Sequence, residues 1–338
     1  MNILLSCAGR RNYLVNYFKQ ALRGSGKVIA TDMQMNAPAL VDADIALNVP
    51  SIYHKGYIEN IITICRKYDI KLLVSLNDLE LPIIARDKHK FEELGVKVMV
   101  SDMNVIDVCF DKWKTTQFLK SIGLLTPGTF IDLDEALQAI DKSELLFPVV
   151  VKPRWGSASI GIEFAHSKSE LLLAYQLLDI RLRKSILAEA SKDDANRAIL
   201  IQEKLDGQEY GMDVLNNFSG EFVKAFPKKK LAMRAGETDK SVTVDNKDLL
   251  NIGGILGKEL GHIGNLDCDV FETSKGYYVL ELNPRFGGGY PFTYEAGADF
   301  PSIFIEWIKG NHNVDRFLQF RIREAFSKYD QLMRVPYE

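Results

Sequence analysis

Over the first hundred residues, short apolar runs alternate with helical stretches, and this alternation leaves few folds open. Ile3-Leu-Leu5 reads as a strand, and a helical pattern runs from Tyr13 to Leu22. Lys27-Val-Ile-Ala-Thr31 is a second strand. A helix near 57–68 leads to strand Leu72-Leu-Val74, and another over about 81–94 leads to Val96-Lys-Val-Met-Val100. Parallel neighbours need a crossover long enough to hold a helix, so this order predicts βαβ units and a parallel sheet. Residues 1–108 are expected to form one α/β domain.

The pattern then changes. A helix is expected over 110–122, a break over 123–127, a helix over 134–140, and a strand over Phe147-Pro-Val-Val-Val-Lys152-Pro. A polar turn, Arg154-Trp-Gly156-Ser-Ala-Ser159-Ile-Gly161, precedes a helix over 169–178 and a strand over 198–202. Strands at 210–215, 221–226, 241–244, 268–272 and 277–282 follow, with a helix near 249–260. This second half reads as α+β. Residues 311–338 are mixed and charged, and no function is read from them.

Composition narrows the classes. A chain of 338 residues has room for two or three domains. A net charge of −3 argues against a general nucleic-acid binder. The run Lys228-Lys-Lys230 is too short to change that and reads as a solvated turn. Cys7, Cys65, Cys109 and Cys268 are scattered without a C-x-x-C pair, which favours reduced thiols over a disulfide or zinc framework. No apolar run approaches the ~18 residues of a membrane span. A cytoplasmic protein is expected, without a nucleic-acid or membrane partner, and with a homodimer left open.

The segment Glu281-Leu-Asn283-Pro284-Arg285 closes an alternating run, so Glu281 and Asn283 share one face of a strand end. Oxygen donors beside a guanidinium suit a phosphate-handling site. A turn at Ser274-Lys-Gly276 would bring Glu281 alongside Asp269, so that Asp269, Glu281 and Asn283 converge on Mg²⁺; Asp267 competes with Asp269. Lys152 ends a buried run ahead of the glycine-containing turn, whose Gly156, Ser157, Ser159 and Gly161 offer N–H groups and hydroxyls to phosphates. A Walker loop is absent. In Gln202-Glu203-Lys204-Leu205-Asp206-Gly207-Gln208-Glu209, Glu203 and Leu205 present backbone groups to a base edge and Glu209 faces ribose hydroxyls, although taken alone the segment is a strand–turn–strand with solvated charges. Arg234 is placed to meet an anion or, taken alone, forms a surface salt bridge. Only Gly9 stands where a dinucleotide fingerprint needs three glycines, although Asp32 ends the second strand, so an NAD-dependent oxidoreductase is disfavoured. Asn77-Asp78-Leu-Glu80 lies beyond a strand end, as a substrate contact or a helix cap.

The order of Asp111-Lys112, Val151-Lys152-Pro153, the 156–161 loop, Gln202-Glu203-Lys204 with Glu209, and Glu281-Leu-Asn283-Pro-Arg285 resembles that of ATP-grasp enzymes. Among these it is similar to carbamoyl-phosphate-synthase large-subunit-like ligases, over residues 1 to about 310. The resemblance implies an amino-terminal α/β domain over 1–108, an ATP-grasp domain over 109–310 with a lid subdomain at about 125–203, and an extension over 311–338. It implies ATP and Mg²⁺ as cofactors, with Mn²⁺ as a substitute. Lys112, Lys152 and the 156–161 loop would hold phosphates, with Lys204 beside the adenine contacts at Glu203 and Leu205, and Glu209 on ribose. Asp269, Glu281 and Asn283 would hold the metal. Arg285 and Arg234 would face the γ-phosphate and an acyl phosphate. The chain departs from the family in being one grasp unit rather than a duplicated pair, and in carrying Asp269 where relatives carry another oxygen ligand.

The activity this implies joins a small carboxylate to an amine or similar nucleophile through an acyl phosphate, releasing ADP and phosphate. Lysines, arginines and Mg²⁺ suffice for such chemistry without a Ser or Cys nucleophile. Alternatives are a catalytically silent nucleotide-binding module and an enzyme phosphorylating bicarbonate or carbamate. Substrate selection is assigned to Arg10, Asn77, Asp78, Glu80, Gly288 and Tyr290.

Overall fold

The computed structural model describes residues 1–156 and 161–337, and places three sheets among them. The first comprises β1 (Asn2–Ser6), β2 (Val28–Asp32), β3 (Ile45–Asn48), β4 (Ile70–Ser75) and β5 (Lys97–Met99). All its pairings are parallel, in the order β3-β2-β1-β4-β5. Parallel strands covered on both faces must be apolar throughout, and Ile3, Leu4 and Leu5 are fully buried. The expected helix over 81–94 is two, Leu81–Arg86 and Lys88–Glu92, broken at Asp87.

A small antiparallel sheet contains β6 (Thr129–Phe130), β7 (Val149–Pro153), β8 (Glu163–Ala165) and β9 (Ile199–Glu203), ordered β6-β9-β7-β8. The large antiparallel sheet contains β10 (Gln208–Asn216), β11 (Phe222–Arg234), β12 (Glu237–Thr243), β13 (Gly264–Thr273), β14 (Gly276–Asn283) and β15 (Ala325–Ser327), ordered β14-β13-β10-β11-β12-β15. The helix Lys247–Leu260 covers one face of this sheet with Leu249, Ile252 and Leu256, leaving the other face free for polar residues.

Three sequence expectations change. The helix expected over 110–122 starts at Lys112, because Asp111 is extended and its carboxylate accepts from Trp113 and Lys114 N–H. Residues 325–327 of the carboxy-terminal segment form the edge strand of the large sheet. Lys228-Lys-Lys230 is no solvated turn: it lies within β11, where the two-residue period turns Lys228 and Lys230 inward together. Among the described residues, no helix is long and apolar enough to cross a membrane.

Candidate active site

The polar face of the large sheet is built by register. Lys228 pairs with Gly211, Gly211 with Asp269, and Asp269 with Glu281, so one row of positions crosses four strands. The next row holds Asp213, Asp267 and Asn283. Alternation puts both rows on one face, which lines a cavity of about 290 Å³. A bulge between Asp269 and Val270 adds Leu280 to that lining. Gly211 leaves the hollow the lysine stems need: a Cβ there would stand 3.3 Å from Lys230 Cε and 3.6 Å from Lys228 Cε.

Cations and carboxylates interleave across this face. Lys230 Nζ lies 2.6 Å from both Glu209 Oε1 and Asp269 Oδ1. Lys228 Nζ lies 2.5 Å from Asp213 Oδ2 and donates to Thr293 Oγ1 at 3.0 Å, while Asn265 Nδ2 donates to Asp213 Oδ1 at 2.8 Å. Burial raises the Asp269 carboxyl, with Lys230 opposing. For Lys230 burial works against the charge, but Asp269 and Glu209 outweigh it and hold the ammonium above its usual range.

The opposite wall comes from the helix Lys112–Ser121 and β7. Lys112 Nζ donates to the Gly156 carbonyl and sits 3.3 Å from Glu281 Oε1. Lys152 is buried and donates to Gln202 Oε1 at 2.7 Å. Burial, then the nearby Lys112, lower its ammonium to about 8. A buried fork fixes the turn after β7: Arg154 Nε and Nη2 donate to the two Asp111 oxygens at 2.7 and 2.6 Å, and Nη1 to Asp194 at 2.6 Å. The side chain that starts the lysine-bearing helix thereby anchors the approach to the 156–161 loop.

Arg285 joins the sheets. Its Nη2 donates to Asp78 Oδ2 at 2.9 Å and its Nη1 to Asp267 Oδ2 at 3.1 Å. Burial works against its charge, but Asp78 and Asp267 hold it above its usual value. Its buried Nε has no hydrogen-bond partner among the described residues.

The structure brings Lys112, Lys152, Gly156, Glu209, Asp269, Glu281, Asn283, Arg285 and Gly288 to one cavity, with Asp267 beside Asp269. Asp78 reaches that cavity through Arg285. Ser157 and Ser159 lie outside the described residues, and Gly161 packs its backbone against Pro153 and Leu178.

Other expected residues stand elsewhere. Arg234 is exposed and donates through both Nη atoms to Asp330, because it ends β11 where the strand leaves the cavity. Glu203 holds Gly128 through both its N–H and its carboxylate. Lys204 pairs with Asp206 in the connector between β9 and β10, where Leu205 is half-buried. Arg10 is exposed, and Asn77 closes a turn onto Leu79 N–H. Glu80 is buried among Ser6, Tyr57 and Ser75. Tyr290 is fully buried and its hydroxyl donates to the Ala298 carbonyl. Lining residues not singled out in advance include Lys228, Lys230, Gly211, Glu237 and Thr238; alternation through β11 is the signal for the lysines.

The donor chemistry suits Mg²⁺ bound together with phosphates. Asp267, Asp269, Glu281 and Asn283 offer oxygen ligands in two opposed pairs on one hairpin face. Among the described residues no group of three or more His, Cys, Asp or Glu side chains is placed to hold a metal by itself. One or two carboxylates completed by phosphate oxygens is the arrangement Mg²⁺ usually takes.

Family and structural comparisons bear on the fold that carries this site. A family model described as the PylC-like amino-terminal domain matches residues 3–99, and one described as ATP-grasp in the biosynthetic pathway with Ter operon matches residues 195–326. The biotin carboxylase domain of Hydrogenobacter thermophilus 2-oxoglutarate carboxylase, solved with MgADP, ADP and bicarbonate, is similar at a TM-score of 0.73 and 18% identity, over 96% of this chain and 73% of that one. An ADP complex of N5-carboxyaminoimidazole ribonucleotide synthetase gives 0.71 and 19%, over 96% and 80%. An L-amino acid ligase from Bacillus licheniformis gives 0.67 and 17%, over 96% and 78%. At these identities the solved structures establish the shared fold. Residues 3–99 thus match a PylC-like amino-terminal domain and residues 195–326 an ATP-grasp domain, on a fold shared with these enzymes.

Proposed function

We propose that the protein is an ATP-dependent ligase that joins a carboxylate to an amine, or a similar nucleophile, through an acyl phosphate. The observation carrying this reading is the row Lys228, Gly211, Asp269, Glu281, faced by Lys112 and Lys152 across one cavity. No Ser, Cys or His stands among the described lining residues, so the cavity suits phosphoryl transfer by positioning and charge rather than by a protein nucleophile.

Each group has a task in this scheme. Lys112 and Lys152 hold phosphate oxygens on the wall opposite the sheet. Asp269, Glu281 and Asn283 orient the metal, which when bound neutralises charge on the phosphates. Arg285, fixed by Asp78 and Asp267, places its guanidinium at the cavity wall, where its charge favours the charge that develops as phosphate moves to the acid. The carboxylate oxygen attacks the γ-phosphorus and ADP leaves. The amine then attacks the acyl carbon, phosphate leaves, and the amine gives up a proton.

The test is a pool of small carboxylic acids and amines incubated with Mg·ATP, with phosphate and product mass followed together. The reading requires phosphate release that depends on both an acid and an amine, with a product mass equal to their sum less water. ATP binding without such release across the pool would favour the silent nucleotide-binding module.

A further inference from the structure

The carboxy-terminal segment runs along the edge of the large sheet and sets Lys328 and Asp330 against the β11–β12 hairpin. Thr243 starts this run: its Oγ1 donates to the Arg321 carbonyl at 2.7 Å, and its backbone N–H donates to the Glu324 carbonyl at 3.0 Å. β15 then pairs with β12, Ala325 opposite Val242 and Ser327 opposite Lys240. Lys328 N–H continues the ladder to the Asp239 carbonyl at 2.8 Å. Three side-chain contacts complete it. Lys328 Nζ donates to Glu237 Oε2 at 3.1 Å, the same ammonium lies 5.9 Å from the centre of the Phe292 ring, and Asp330 takes Arg234 Nη1 and Nη2 at 2.7 and 3.0 Å.

These contacts meet at one turn. β11 and β12 are joined by Ala235-Gly236, both with positive φ (50° and 78°), the geometry of a tight two-residue hairpin. Gly236, Glu237 and Thr238 line the cavity. The Glu237 carboxylate reaches across the mouth: Oε2 lies 3.0 Å from where a Cβ on Gly288 would stand. Burial would raise the Glu237 carboxyl, but Lys328, with Arg11 and Arg10 further away, holds it below the usual carboxylate range. Without β15 the hairpin would end the sheet as an unpaired edge carrying pocket residues at its tip.

We propose that residues 321–330 are a strap that positions the β11–β12 hairpin, with Lys328 and Asp330 as positioning residues that hold Glu237 and Gly236 against Gly288, so that the nucleotide site is complete only when the strap lies on β12. This goes beyond the ligase reading, because it concerns assembly of the pocket rather than the reaction run in it. An exposed ion pair alone contributes little stability. The value of the Arg234–Asp330 fork and the Lys328–Glu237 bridge is therefore positional.

The test uses the full chain and Mg·ATP as probe. R234D, D330R, the double exchange R234D/D330R, and K328M are compared by Mg·ATP affinity, by amide exchange over residues 233–240 and by melting temperature. Each single variant is expected to weaken Mg·ATP about fivefold to tenfold and to speed hairpin exchange, and the double exchange to recover most of both. A lower melting temperature with unchanged Mg·ATP affinity would make the strap merely structural and overturn the proposal, as would a double variant no better than the singles. Failure of the ligase reading shows separately, as absent acid- and amine-dependent phosphate release from a wild-type protein that still binds Mg·ATP.

Discussion

Asp269 and Glu281 face each other across the β13–β14 hairpin, yet each is paired with a lysine from a different wall of the cavity: Asp269 with Lys230, Glu281 with Lys112. The two carboxylates thus sit side by side without a shared partner. A divalent ion entering with phosphates would take both, and the two lysines would turn to the phosphate oxygens. Mg·ATP and the lysines are complementary in this arrangement, because each supplies what the other gives up.

That exchange predicts a metal-dependent phenotype. Glu281→Ala should weaken Mg·ATP about 10- to 100-fold, in the range usual for lost metal-site groups, while leaving metal-free ATP close to wild type. Calorimetry with Mg²⁺ and with EDTA compares the two directly. Equal losses under both conditions would remove Glu281 from the metal site.

Lys152 sets a pH limit on nucleotide binding. Its ammonium is lowered to about 8 by burial and by Lys112, and bound phosphate favours the charged form. The free protein therefore loses this proton as pH rises through about 8, whereas the complex keeps it. Mg·ATP affinity should be level below that pH and decline above it. Lys152→Arg stays charged and should flatten the decline in a titration from pH 7 to 9.5; an equally steep decline in the variant would contradict the assignment.

His262 gives the fold an acid-sensitive point. It is fully buried, Nε2 contacts the Val214 carbonyl at 2.9 Å, and burial lowers it to about 4. Between about 4 and 6.5 the unfolded chain carries a proton that the folded one lacks, so stability rises with pH through that window and is level above it. Relative to His262→Gln, the wild type should lose on the order of 2 kcal/mol more between pH 7 and pH 5. Denaturant unfolding at the two pH values measures the difference, and matching losses would refute it.

Gly287 is where the glycine segment has least room. A Cβ there would lie 2.1 Å from Asp267 Cγ, and Asp267 is held by Arg285. Gly287→Ala should push Asp267 off Arg285 and weaken Mg·ATP at least about tenfold, equivalent to about 1.4 kcal/mol. An affinity within twofold of wild type would show that the segment yields instead.

Much of this was legible in the residues themselves. The turn at Ser274-Lys-Gly276 is short enough to dictate register, so Asp269 lies opposite Glu281 as the sequence suggests. The parallel sheet followed from apolar runs separated by helix-length segments. Lys228 and Lys230 escaped because three adjacent lysines look solvated unless the strand is known to run on through Pro227, which still pairs with Met212. Of the two readings open for Arg234 the surface salt bridge holds, because a strand's exit point depends on its total length, not on any local pattern. β15 has three residues and no periodicity; it is a strand only because β12 offers it an edge.

The central claim is that the γ-phosphate passes onto a carboxylate. The most direct measurement supplies acids labelled with ¹⁸O in the carboxyl group, together with amines and Mg·ATP, and reads the isotope in the released phosphate. Transfer through an acyl phosphate predicts one ¹⁸O per phosphate, since the acid's attacking oxygen leaves with phosphorus. Unlabelled phosphate accompanying product would contradict the account.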